Sequence, residues 1–287
     1  MNDGRERPGP QHRLRLTVAY QGQEFSGSQR QPGKRTIQGE LERALATISG
    51  ESVAISMAGR TDKGVHASGQ VASCIDPRPD LEDSRLLMAL EKLLPGDLSV
   101  MELRRVGLEF DPRRDAKWRH YRYRIWVGVS QPLERLQSLR IQGPLNVMRM
   151  LHGAVRFEGE HDFGSFSGLG RGVPRSSERK VGRGTVRRVH MASVRSRTDR
   201  ERHGQIIEID IVGDAFLPGQ VRSMVGALLE VGRGKVQPDW IDDLLVTADR
   251  RKGPKSVLPH GLCLVAVGYE EWNQTVALQM ASEIRSR

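Results

Sequence analysis

The sequence predicts an α+β protein built from two related α+β units, with helices packed on one face of a mainly antiparallel sheet. Three observations carry that reading. The first half runs β-α-β-β-α-β, which is not the regular strand–helix alternation of a doubly wound parallel sheet. A similar set of elements follows in the second half. The composition, 287 residues with 37% hydrophobic and 28% charged, suits one large domain or two modest ones.

Each element has a local reason. Residues 1–12 hold no apolar core, so they read as a disordered extension and not as a secretory leader. Arg13 to Tyr20 alternates, with Leu14, Leu16, Val18 and Tyr20 on one face, which predicts a strand. Thr36 can cap a helix whose inner face is Ile37, Leu41, Ala44, Leu45 and Ile48, and Gly50 stops it. Val53, Ile55 and Met57 alternate as on a half-buried strand, and residues 69–75 resume a strand-like run. A second helix is expected over 81–94, capped by Asp80, with Leu86, Leu87, Leu90, Leu93 and Leu94 buried and Pro95 at its end. Residues 98–106 read as another strand.

The second set comprises a strand over 121–127, a helix over 144–155 and strands over 184–194 and 205–213. A helix over 219–230 buries Val221, Met224, Val225, Leu228 and Leu229, a short helix opens at Pro238 and Asp239, and a closing strand runs over 262–269. The domain reading is therefore an N-terminal unit over 13–112, a C-terminal unit over 113–272 and a tail over 273–287.

Asp62 stands between the strand readings, on a loop flanked by Gly59 and Gly64. Loops held by a rigid sheet are where sites are commonly built. On pattern alone Asp62 is equally a surface ion-pair partner of Arg60 or a turn residue bonded to its own backbone. On the strand from Arg119, one face carries Arg119, Tyr121, Tyr123 and Ile125 and the other His120, Arg122, Arg124 and Trp126, an alternation of tyrosine and arginine that fits an RNA-facing strand and ordinary strand propensity equally well.

Charge and cysteine usage narrow the class. Lys and Arg number 45 against 35 Asp and Glu, a formal charge of +10, which makes nucleic acid the first candidate partner. Residues 168–183 carry Arg171, Arg175, Arg179, Lys180 and Arg183 and read either as a solvated loop or as an RNA-contacting arm. Cys74 and Cys263 lie in apolar runs and read as buried free thiols, no histidine spacing suggests a metal, and a reducing cytoplasm is expected. His161-Asp162 suggests a dyad only superficially, because adjacent strand residues face opposite ways. No apolar run reaches the roughly 20 residues that span a bilayer.

Gly59-Arg-Thr-Asp62, Gly64-Val-His-Ala67 and Gly69-Gln-Val71 together resemble the catalytic motif of the tRNA pseudouridine synthase A family. The resemblance extends along the chain in the family's order. It takes in Tyr20-Gln-Gly22, Phe25-Ser-Gly27 and Thr36-Ile-Gln-Gly39, then Arg119-His-Tyr121-Arg-Tyr123 and Gly159-Glu-His-Asp-Phe163. Phe216-Leu217, Val221-Arg-Ser-Met-Val-Gly226 and Leu258-Pro-His-Gly-Leu262 complete it. The chain departs at Ser28, where the family usually has Trp, and at Lys63, Asp111-Pro112 and Ser256-Val257.

The resemblance implies the pseudouridine synthase fold, in which the two units share the sheet and a central basic cleft, a tRNA substrate modified in the anticodon arm at positions 38–40, a homodimer, and no metal or nucleotide cofactor. It implies Asp62 as the catalytic nucleophile and Tyr121 as the residue on which the flipped uridine stacks. Arg60 is the local candidate for an arginine beside the carboxylate, and the resemblance adds Arg222 as a second substrate-binding arginine. Two other readings compete. One is a non-catalytic RNA-binding protein of the same fold, against which the intact Arg60-Thr-Asp62 argues. The other is a carboxylate-dependent hydrolase, for which no second acid stands at useful spacing.

Overall fold

The computed structural model describes residues 12–168, 184–199, 201 and 203–286. The expected N-terminal extension up to residue 11 and the arginines of the 168–183 loop lie outside the described residues. Two compact units are present, Met1–Ala116 and Lys117–Arg287. The division falls after Ala116 for a local reason. The Asp111 carboxylate accepts from the Arg113 and Arg114 amides, and Asp115 N donates to Asp111 O, so residues 111–115 close a turn on themselves. Lys117 N then donates to Gly268 O and begins a new ladder.

The first unit is a small antiparallel sheet with two helices. Strand β1 (Arg13–Tyr20) buries every second residue, Leu14, Leu16, Val18 and Tyr20, as its alternation predicts. Helix α1 (Ile37–Ser49) begins where Thr36 accepts from Gly39 N at 3.2 Å and ends at Gly50, whose φ of 77° is the left-handed stop. Strand β2 (Ser56–Met57) is only two residues long. The expected strand over 53–57 is curtailed because α1 takes the backbone of Ile55. Ile55 N donates to Glu42 Oε1 at 3.1 Å, and Gln38 Nε2 donates to Ile55 O at 3.1 Å.

Strand β3 (His66–Ile75) pairs with both β1 and β2, and starts three residues earlier than the run over 69–75 suggests. Helix α2 (Asp83–Leu93) starts later than expected. Asp80 does not cap it. That carboxylate is engaged by Arg78 at 2.8 Å, and Glu82 occupies the cap position without a side-chain bond. Leu86, Leu90 and Leu94 are buried, while Leu87 and Leu93 are half-buried. Strand β4 (Leu98–Val106) completes the sheet order β4-β1-β3.

In the second unit, strand β5 (Trp118–Gly128) is paired antiparallel to β9 (Gly204–Gly213) and to β10 (Leu262–Gly268). Strand β8 (Val186–Asp199) continues from β9, and β7 (Gly159–Asp162) from β8. A three-residue strand, β6 (Leu139–Ile141), runs parallel beside β5. One face of this sheet, Tyr123, Ile125, Ile207, Ile209 and Ile211, is fully buried. Helices α3 (Val147–Ala154), α4 (Gln220–Gly232) and α5 (Trp240–Thr247) approach closely at Gly153, where a Cβ would stand 3.2 Å from Leu228 and 3.0 Å from Ile241.

The other face of β5 is ionic. Asp210, fully buried on β9, accepts from His120 Nε2 at 2.7 Å and from Arg122 Nε at 2.8 Å. Glu208 accepts from Arg124 Nε at 2.8 Å and pairs with Arg195. Arg122 and Arg124 on this face are therefore each paired with a carboxylate of β9. Burial pushes the Asp210 carboxyl up, but the His120 hydrogen bond and charge and the Arg122 charge outweigh it and hold it below the usual carboxylate range.

The segment 273–287, expected as a tail, instead forms helix α6 (Gln274–Ser286). Val276, Met280 and Ile284 recur every four residues and pack against Trp118 and Val212. Trp272 meets Trp118 edge-on at 5.8 Å and stacks on His190 at 5.1 Å. Among the described residues no helix is long and apolar enough to cross a membrane. Cys74 is buried, which pushes its thiol up to about 12, while Cys263 is only half-buried.

Candidate active site

Asp62 lies on the connection between β2 and β3, and nearly every neighbour on that connection is tied down. Ala58 N donates to Val71 O at 2.8 Å, the last rung beside β3. Gln70 Nε2 donates to Gly59 O at 2.8 Å. Thr61 is held at three points: its hydroxyl shares a 2.8 Å bond with Tyr20 Oη, its N–H donates to Ser28 Oγ at 2.9 Å, and its carbonyl accepts from Ser28 N at 3.1 Å. Val65 N donates to Asp62 O at 3.1 Å, closing a turn over residues 62–65.

Two glycines let the opening segment grip this turn. Gly64 sits at φ +82° and donates to Gly22 O at 3.1 Å. A Cβ on Gly22 would stand 2.0 Å from Val65 O, so no other residue fits that approach. Gly22 N also donates to His66 Nδ1 at 3.3 Å. Asp62 itself is half-buried, Lys63 and Arg60 are exposed, and Thr61, Val65 and His66 are buried. The result is a carboxylate presented from a fixed backbone, the arrangement that preorganised chemistry requires.

Tyr121 and Arg222 belong to the second unit. Tyr121, on β5, is 8% exposed and meets Phe216 edge-to-face at 5.3 Å and 90°. Arg222, on the first turn of α4, donates from Nε to Val257 O at 2.7 Å, and Val257 N donates back to Arg222 O at 3.2 Å. Two residues along β5, and on the same face as Tyr121, Tyr123 donates to Leu258 O at 2.8 Å. Burial pushes the Tyr123 hydroxyl well above the tyrosine range, and the Arg222 charge opposes that push. The segment before Leu258 lies against α4, since a Cβ on Gly226 would stand 2.1 Å from Lys255 O and Ser256 shares a 2.8 Å bond with Ser223.

The structure thus puts Asp62 and Arg60 on one loop, and Tyr121 and Arg222 in the second unit, where the Arg222 charge acts on Tyr123, two residues along β5 from Tyr121. His161 and Asp162 do not form a dyad: His161 Nε2 bonds Glu158 O, and Asp162 Oδ1 accepts from Gly164 N. Ser28, Tyr20, Gln70 and His66 hold the Asp62 loop but carry no signal of that role in the sequence. Tyr20, Gln70 and His66 fall inside recognised motif blocks, which is the one hint available.

A profile of the tRNA pseudouridine synthase family matches residues 16–114 and 154–270. A protein named tRNA pseudouridine synthase A from Geotalea uraniireducens is 39% identical over 263 residues, covering 89% of this chain and 99% of that protein. Proteins of the same name from Methylococcus capsulatus and Myxococcus xanthus are 37% and 35% identical, each over 260 residues, covering 90% of this chain and 90% and 92% of those proteins. Among solved structures, a Cbf5–Nop10–Gar1 complex aligns with 76% of this chain and 54% of that chain at 14% identity and a TM-score of 0.24, too loose a superposition to bear on the fold. The class these matches define is isomerase. The chain belongs to the tRNA pseudouridine synthase family. Helix α6 begins beyond residue 270, where the family match ends.

Proposed function

We propose that this chain isomerises uridine to pseudouridine in the anticodon arm of tRNA, at positions 38–40, with Asp62 as the nucleophile. The reaction breaks the bond from the ribose to the uracil nitrogen, turns the base and rejoins it through carbon. Product and substrate have the same atoms, so the chemistry calls for no co-reactant. A carboxylate can supply the nucleophile or base that the step demands. The observation that carries the reading is the fixation of the loop around Asp62 by Tyr20, Ser28, Gly22 and Gln70.

A uridine in a stem must leave its stack before it can react. Tyr121 is proposed to receive the flipped base, with Phe216 setting the orientation of its ring. Stacking on a ring that is 8% exposed requires the tRNA-bound protein to uncover it. Arg60 and Arg222 are proposed to bind substrate. Arg60 is exposed beside Asp62, and Arg222 is oriented through Val257 O. A homodimer in the cytoplasm completes the proposal, supported by the motif resemblance and by Cys74 and Cys263, neither of which is in a disulfide. Incubation with unmodified tRNA followed by chemical mapping of pseudouridine tests the activity. Pseudouridine at positions 38–40 is expected, and its absence from those positions with an active preparation would overturn the assignment.

A further inference from the structure

Ser28 is fully buried and joins two elements. Its N–H donates to Thr61 O at 3.1 Å, its Oγ accepts from Thr61 N at 2.9 Å, and its carbonyl accepts from Gln38 N at 2.9 Å in the first turn of α1. Gly27 beside it adopts φ +93°, and its carbonyl accepts from Ile37 N at 3.4 Å. A Cβ on Gly27 would lie 2.9 Å from Thr61 O, so the two segments are in direct backbone contact.

We propose that Ser28 is a positioning residue for the isomerisation, fixing the orientation of Asp62 by clasping the Thr61 peptide to the N-terminus of α1. Thr61 O belongs to the planar peptide unit that carries the Asp62 N–H, so holding that oxygen fixes where the Asp62 backbone begins. The same clasp captures the preceding Thr61 N–H, which leaves Asp62 little freedom beyond its own side-chain rotamer. The Thr61 side chain is held independently by Tyr20. A tryptophan at position 28 would offer a donor and no acceptor to the Thr61 N–H, so the clasp depends on the hydroxyl that this chain carries.

The proposal rests on Asp62 being the reacting carboxylate, and the experiment separates the two. Ser28→Ala, Ser28→Thr, Asp62→Asn and, as a destabilised control away from the loop, Leu90→Ala in α2 are compared for single-turnover pseudouridine formation, tRNA affinity, thermal midpoint and hydrogen exchange at the Thr61 amide. Ser28→Ala is expected to exchange faster at Thr61 and to lose roughly tenfold in single-turnover rate, the scale of one hydrogen bond to a buried amide, with tRNA affinity within about twofold. Ser28→Thr keeps the acceptor and restores the rate. A wild-type rate in Ser28→Ala, or an equal loss in Leu90→Ala, overturns the proposal alone. Turnover by Asp62→Asn overturns the reading beneath it and the proposal with it.

Discussion

Thr61 meets Ser28 across 33 positions of sequence and Tyr20 across 41. No local pattern could pair them, which is why the motif resemblance points to Asp62 but not to the groups that hold it. Arg222 was legible only through resemblance: as a helix residue it looks ordinary, and its bond to Val257 O spans 35 positions. Tyr121 carries the sharpest test at this scale. If a flipped uridine stacks on its ring, Tyr121→Phe keeps the π-face and most of the tRNA affinity. Tyr121→Leu is expected to lose about 1–3 kcal/mol of stabilisation of the flipped state, read as a slower single-turnover rate. A Phe variant that binds normally but reacts slowly would assign the hydroxyl a part in proton transfer. Equal rates in all three proteins would reduce Tyr121 to a strand residue.

Elements with strong periodicity and their own caps were readable in advance. Strand β1, helix α1 with Thr36 and Gly50, and helix α4 stand close to where alternation and spacing place them. The failures have tertiary causes. Strand β2 is cut short by Gln38 and Glu42 reaching from α1, α2 starts late because Arg78 occupies Asp80, and α6 forms because Trp118 and Val212 offer it an apolar seat.

Two expectations belong to elements. Gly22→Ala forces a Cβ to within 2.0 Å of Val65 O, so the Asp62 turn must shift. A loss of about 1–3 kcal/mol in unfolding free energy is expected, with activity falling further than stability, checked by denaturant melts beside single-turnover assays. Asp210→Asn leaves Arg122 buried without its counter-charge and is expected to cost about 3–5 kcal/mol. In the native protein the Asp210 carboxyl is held below its unfolded value, so the folded state binds fewer protons there. Its contribution is present above the unfolded carboxylate pKa of about 3.9 and is lost as pH falls through the lower folded value. Melts between neutral pH and strong acid should show a smaller acid loss in Asp210→Asn than in wild type, and parallel curves would contradict the assignment.

At the scale of the whole molecule, a formal charge of +10 and a tRNA substrate make binding electrostatic. The logarithm of tRNA affinity is expected to fall linearly with the logarithm of salt, at roughly 0.7–0.9 per phosphate contact, with a slope reporting several contacts. Replacing Arg171, Arg175 and Arg179 together by Ala is expected to flatten that slope while leaving the single-turnover rate of bound tRNA unchanged. An unaltered slope would show that these arginines make no phosphate contact.

The central claim is that the carboxylate of Asp62 performs the chemistry while the surrounding loop merely holds it. Asp62→Asn tests this most directly, because the amide keeps the size and shape of the side chain but lacks its charge and its second acceptor oxygen. Purified Asp62→Asn protein is incubated with unmodified tRNA under single-turnover conditions, and pseudouridine is mapped chemically alongside measurements of tRNA affinity and thermal midpoint. The account predicts no pseudouridine, with an intact fold and tRNA binding close to wild type. Measurable turnover by a folded Asp62→Asn protein would contradict it.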